Sequence, residues 1–242
     1  MKRRFFALGL IFSLSLLTAA RATARDAKLN TATDPQPHAG TMDRHESMNR
    51  RVAQGNVDLI FIGDSITHAW EGAGKDVWDK YYGKRNAVNL GIGGDRTQHV
   101  LWRLDHGNID GIHPKLAVIM IGTNNSNGAD NTAEEIAAGI TAIVGRLRTK
   151  LPETKVLILG IFPRGEKPGP QREKNAKASE IASRLADNKH VFYLDIGPKF
   201  LTADGTLSKD IMPDLLHPNK KGYEIWAAAI EDKVSELMGE KK

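Results

Sequence analysis

Four short patches in this 242-residue chain hold residue types that acyl chemistry uses. The first is Gly63-Asp64-Ser65, directly after the apolar run Leu59-Ile60-Phe61-Ile62. An unbroken apolar run reads as a strand buried on both faces. Open α/β sheets bind ligands at the carboxyl ends of such strands, so Ser65 stands where a nucleophile would be useful. The same serine could serve only as a helix N-cap. The second patch, Gly91-Ile92-Gly93-Gly94-Asp95-Arg96, offers backbone N–H groups free to approach a ligand, or merely a tight turn. It is not a dinucleotide fingerprint, because Arg96 stands where the last glycine should be, and no Gly-Lys-Ser/Thr phosphate loop is present. The third patch is Gly122-Thr123-Asn124-Asn125-Ser126. An Asn side chain at a strand end can donate to a ligand oxygen, as oxyanion holes require, or can simply sit in a turn. Asn124-Asn125-Ser126 also matches a glycosylation acceptor, but an asparagine in an active site would be inaccessible to that modification. The fourth patch is Asp214-Leu215-Leu216-His217. A carboxylate three residues from an imidazole can fix its tautomer for general-base work, although an isolated Asp-x-x-His is ordinary surface.

The elements that must position these residues alternate. Strands are expected at 57–62, 87–90, 116–121, 155–160 and 191–194. Between them lie helical patterns at 66–70, 76–82, 97–104, 133–151 and 171–186, and 219–237 closes the chain. Thr132 followed by Glu135 is a capping box for the 133–151 helix. Such alternation implies an α/β fold, a three-layer α/β/α sandwich around a flavodoxin-like five-stranded parallel sheet with right-handed crossovers. Trp70, Trp78, Trp102 and Trp226 fall on helices and read as core.

The amino terminus reads as a cleavable leader. Lys2, Arg3 and Arg4 precede an apolar run from Phe5 to Leu17, and Ala22-Thr23-Ala24 has the small residues of a cleavage site. Residues 1–24 are therefore expected to be a signal peptide of a secreted or periplasmic protein. Residues 25–56 would form a polar tether and a surface helix near 41–54, and 57–242 the catalytic domain. Losing the leader removes four basic residues and no acid, so the net charge falls from +5 to +1. The basic balance thus gives little reason to expect a nucleic-acid partner. There is no cysteine, which excludes disulfides and thiolate metal sites. His38, His45, His68, His99, His106, His113 and His190 lack the spacing of a zinc helix. No metal or cofactor is expected.

Taken together, the four patches resemble the SGNH (GDSL-type) esterases in order and spacing. Gly91 to Leu104, Phe162-Pro163-Arg164-Gly165 and Arg172-Glu173-Lys174-Asn175 are similar to the catalytic subunits of platelet-activating factor acetylhydrolase Ib. The resemblance covers about residues 57–236, with Ile66 where the family's name has Leu. It implies ester hydrolysis through an acyl-enzyme. Matched residue by residue, it makes Ser65 the nucleophile, His217 the base and Asp214 its orienting partner. The Ser65 and Gly94 N–H groups and the Asn124 side chain would form the oxyanion hole. The resembled subunits dimerise, so a homodimer is possible. The G-x-S-x-G elbow of α/β-hydrolases is absent.

The leading expectation is a secreted esterase acting on short, acetyl-sized esters of a small molecule or glycan, since no long apolar insertion offers a lid or deep acyl wall. The alternatives are an acyltransferase to a sugar hydroxyl on the same machinery and a non-catalytic binding module.

Overall fold

The computed structural model describes residues 29–240; the leader expected at 1–24 lies outside them. Five parallel strands form one sheet: β1 (Leu59–Gly63), β2 (Ala87–Gly91), β3 (Leu116–Met120), β4 (Lys155–Leu159) and β5 (Val191–Leu194), in the order β2-β1-β3-β4-β5. This is the flavodoxin-like order, and its switch point lies beside β1. The three central strands are apolar at nearly every position because helices cover both faces. Ile60 and Ile62 face one core with Val88, Leu90, Ala117 and Ile119. Leu59 and Phe61 face the other with Val118, Met120 and Trp226.

The first core is covered by α1 (Met42–Ala53), α4 (Thr97–Leu104), α5 (Ala133–Lys150) and α6 (Pro170–Ser183). The second lies under α2 (Ser65–His68), α3 (Lys75–Tyr81) and α7 (Lys220–Met238). Each expected strand and helix is present within a few residues of its expected ends. The capping box of α5 is formed, Glu135 N–H donating to Thr132 Oγ1 at 3.2 Å and Thr132 N–H to Glu135 Oε2 at 2.9 Å. Trp70 and Trp226 are fully buried core residues. Trp102 is only partly covered and stacks on His106 at 3.9 Å.

The tether expected before α1 fails as well. The described part of the segment read as a polar tether is packed onto the domain. Thr31–Thr33 forms a 3-10 turn and Ala32 is completely buried. The Thr97 hydroxyl donates to Ala32 O at 2.7 Å, Asn131 Nδ2 to Thr31 Oγ1 at 3.0 Å, and Gln36 N–H to Gln98 O at 3.2 Å. Gly139 of α5 makes room, since a β-carbon there would stand 2.7 Å from Ala32 O. Polar composition signalled a linker, but these polar groups are spent on partners about 60 to 100 residues away.

Candidate active site

The position of Ser65, the candidate nucleophile, is built by close approach. A β-carbon on Gly63 would lie 2.0 Å from Thr67 Oγ1 and 2.5 Å from Met120 O, so only glycine lets β1 turn into α2 here. The cap of α2 is Asp64, whose Oδ1 accepts from Ile66 N–H at 3.0 Å. Ser65 is therefore not the N-cap, and its hydroxyl lies 2.8 Å from His217 Nε2. Asp64 is fully buried and its Oδ2 has no hydrogen-bond partner. Burial is the main force that pushes its carboxyl up from 3.8 to about 7, against the Ile66 N–H bond, with the nearby Asp95 charge adding to the rise.

His217 arrives on the loop before α7. Its Nδ1 lies 2.6 Å from Asp214 Oδ2. A carboxylate accepts, so Nδ1 carries the proton and Nε2 is left to accept the hydrogen bond from the Ser65 hydroxyl. Asp214 Oδ1 accepts from the N–H groups of Leu216 at 3.0 Å and His217 at 2.7 Å, which folds the loop around the carboxylate. Burial pushes the Asp214 carboxyl up, but the His217 ring and these two N–H groups outweigh it and hold it below the ordinary carboxylate range. Leu215, inside this turn, is left-handed at φ 61°. A branched residue there costs free energy, so the neighbours must hold it; one of them is Gly165, whose N–H donates to Leu215 O at 2.8 Å. The two halves of the site are joined by Tyr223 of α7, whose hydroxyl donates to Ile66 O at 2.6 Å.

The glycine loop after β2 runs beside Ser65. A β-carbon on Gly91 would collide with His68 N at 2.3 Å, and one on Gly93 would stand 4.0 Å from Ser65 Cβ. Gly94 is left-handed at φ 80°, a conformation glycine adopts without penalty. Asn124 Nδ2 donates one N–H to Asp95 O at 2.9 Å, which pins the asparagine to the residue after Gly94. The next residue, Asn125, is a buried hub. Its Oδ1 accepts from Thr97 N–H at 2.9 Å, while its Nδ2 lies 3.1 Å from Thr97 Oγ1 and 3.0 Å from both Gln98 Oε1 and Asn131 Oδ1. The structure thus joins Ser65, His217 and Asp214 directly. It sets the glycine loop against Ser65 and Asn124 against that loop.

Sequence reasoning missed the supports. Asp95 and Arg103 are a fully buried ion pair, with Arg103 Nε 2.8 Å from Asp95 Oδ2. Arg103 also donates to Asn108 Oδ1 at 2.9 Å and to Gly63 O at 3.1 Å, so one side chain ties the glycine loop to the strand carrying Ser65. Arg164, half-buried behind the Asn124 loop, donates from Nη1 to Thr123 O, Thr123 Oγ1 and Asn127 Oδ1, each at 3.2 Å. Beside Asp214 opens a cleft of about 400 Å³ lined by Arg164, Lys167, Gln171, Arg172 and Leu216. Charge and spacing in the sequence hold no trace of these pairings, apart from the Phe162–Gly165 and Arg172–Asn175 likeness.

Three ligand-type groups, His38, Asp95 and His99, come within metal reach of one another. Their geometry does not suit an ion. The two rings stack at 4.4 Å and 17°, so their in-plane lone pairs do not converge. His99 Nδ1 is already taken by Arg96 N–H at 3.1 Å, and Asp95 is neutralised by Arg103.

The GDSL-like lipase/acylhydrolase family matches residues 61–225. The rat platelet-activating factor acetylhydrolase IB subunit alpha2 is 37% identical over 212 residues, covering 87% of this chain and 90% of that protein. Among solved structures, a GDSL-like lipase from Bacteroides thetaiotaomicron superposes with a TM-score of 0.62 at 23% identity, over 80% of this chain and 97% of its own. An acetylxylan esterase from Geobacillus stearothermophilus, solved as a catalytic mutant, gives 0.60 at 19% identity, over 77% and 96%.

Proposed function

The chain belongs to the GDSL-like lipase/acylhydrolase family and is a carboxylic ester hydrolase; from that premise we propose that it works through an acyl-enzyme on Ser65 and prefers short acyl groups. The observation that carries the mechanism is the continuous chain Ser65 Oγ to His217 Nε2 at 2.8 Å and His217 Nδ1 to Asp214 Oδ2 at 2.6 Å. Ser65 Oγ attacks the ester carbonyl carbon while its proton passes to His217 Nε2. The carbonyl oxygen becomes an oxyanion, held by the N–H groups of Ser65 and Gly94 and the free N–H of Asn124 Nδ2. The intermediate collapses, the C–O bond to the alcohol breaks, and His217 returns its proton to the leaving oxygen. Water then repeats the sequence on the acyl-Ser65 ester and releases the acid. Asp214 keeps the ring oriented and its Nδ1 protonated throughout.

The mixed lining of the cleft beside Asp214 supports the short-acyl preference. Its apolar side chains are Pro170, Leu215 and Leu216, with Arg164, Lys167, Gln171 and Arg172 set among them; a short acyl group fits such a wall, whereas each further buried methylene needs more apolar surface to contribute its ~0.8 kcal/mol. We also propose export, on the basic, apolar and small-residue pattern of residues 1–24. Among the described residues no helix is long and apolar enough to cross a membrane.

The test is a fluorophosphonate probe followed by peptide mass spectrometry. Label on Ser65, abolished in His217→Ala, is the expected result. Label elsewhere, or none, overturns the mechanism. The mass of the mature protein after expression in a bacterial host tests export; an intact Met1 overturns that part.

A further inference from the structure

The segment before α1 ends on the loop that holds Gly94. His38 Nδ1 lies 2.9 Å from Asp95 Oδ1, and Asp95 is completely buried. The ring of His38 also rests on Gly94: a β-carbon there would meet His38 Cε1 at 3.0 Å. The ring also stacks against His99 at 4.4 Å. His99 is itself fixed by the Arg96 N–H on its Nδ1.

Asp95 is the junction of the oxyanion loops. It follows Gly94 in the chain, and its carbonyl oxygen accepts Asn124 Nδ2 at 2.9 Å. Holding Asp95 therefore holds two of the three donors assigned to the oxyanion. Arg103 of α4 grips one carboxylate oxygen, at 2.8 Å, and His38 grips the other from the amino-terminal segment. We propose that His38 is a positioning residue for the oxyanion hole, and that residues 30–38 are part of the active-site architecture. The proposal rests on the reading of Gly94 and Asn124 as oxyanion donors.

The physical reason is preorganisation. Oxyanion donors act only when they stand within a few tenths of an ångström of where the charge develops, and loss of one such donor costs roughly 10²–10³ in kcat. Removing His38 leaves both donors in place but frees the peptide that aims them. The expected loss is smaller, about tenfold to thirtyfold in kcat, a fraction of the full-donor loss. Ground-state binding makes little use of these donors, so KM should change by less than about twofold.

The test compares wild type, His38→Ala, His38→Asn and His38→Gln with p-nitrophenyl acetate and its thionoester, in which sulfur replaces the carbonyl oxygen. Sulfur accepts hydrogen bonds poorly, so the oxygen-over-sulfur rate ratio reports the oxyanion hole. His38→Ala should lower kcat for the oxygen ester and narrow this ratio by a similar factor. His38→Asn places an amide N–H where Nδ1 stands and should recover most of both; His38→Gln, whose amide falls one bond further out, should not. An unchanged ratio, or a loss confined to Tm, overturns the proposal. If His38→Ala does not fold, the Asn and Gln variants decide by the same ratio, and equal ratios overturn it. A wild-type enzyme with no oxygen-over-sulfur preference would instead overturn the oxyanion reading itself.

Discussion

Asp95→Asn is the sharpest probe of how the site is held. Asp95 is wholly buried and Arg103 is 2% exposed, so their 2.8 Å contact has no water to replace either partner. Burial pushes the Arg103 guanidinium down, and Asp95 is the chief group that draws it back. The substitution keeps the shape of the side chain but removes its charge. It also turns an amide N–H toward either the Arg103 Nε–H or the His38 Nδ1–H, because the carboxylate accepts from both. Every acceptor left to Arg103 is then neutral: Asn108 Oδ1, Gly63 O and, in one of the two orientations, the new amide oxygen. Removing one partner of a buried pair costs about 3–5 kcal/mol. In a domain of this size that corresponds to a fall in Tm of roughly 6–20 °C. Urea and thermal unfolding followed by circular dichroism at neutral pH measure it. The companion is the double variant Asp95→Asn with Arg103→Met. With no charge left to bury unpaired, it should lose less stability than the two single losses added together, with a coupling of a few kcal/mol. A single-variant loss below about 1 kcal/mol, or strict additivity, would refute the argument.

Ser65→Ala should lower kcat by about a thousandfold or more with Tm little changed; stopped assays with p-nitrophenyl acetate decide it, and a variant keeping a tenth of wild-type kcat would exclude Ser65 as nucleophile. Asp64 should give stability a pH slope. Its native carboxyl is raised from 3.8 to about 7, so the folded protein keeps a proton that the unfolded chain releases, and stability falls as pH rises through that window. Asp64→Asn retains the Oδ1 acceptor for Ile66 N–H, and its stability relative to wild type should increase from about pH 4 to 8 in urea unfolding; a flat difference contradicts the assignment. In a p-nitrophenyl ester series from acetate to palmitate, kcat/KM should decline beyond about butyryl, whereas a steady climb to octanoyl would reveal an apolar groove and refute the short-acyl preference.

The sheet was legible because each strand is an apolar run too short for a helix and bounded by turn residues, as in Leu59–Ile62 and Leu116–Ile121. The α5 start was legible because Thr132 and Glu135 bond to each other within one turn. The candidate site was legible because each participant stands next to a strand end or a helix start, and because four such patches resemble one family. The strand ends Gly63, Gly91 and Met120 then bring their loops together through neighbouring positions in the sheet.

Three decisions belong to tertiary structure. Both Asp64 and Ser65 are good N-cap residues, and local propensity cannot choose between them. The choice falls to Asp64 because His217, 152 residues away, draws the Ser65 hydroxyl to itself. The segment 30–38 looks like a tether because its composition is polar, and composition does not record that Asp95 and Thr97 wait as partners about 60 residues on. Arg103 and Asp95 lie eight residues apart and pair only because the loop and α4 fold back over the end of β1. Periodicity and capping depend on neighbours within a turn or a strand, so the elements and the residues able to do chemistry can be read along the chain. Which polar group meets which beyond the same turn or strand depends on where the packed layers place them, and that is a property of the folded chain.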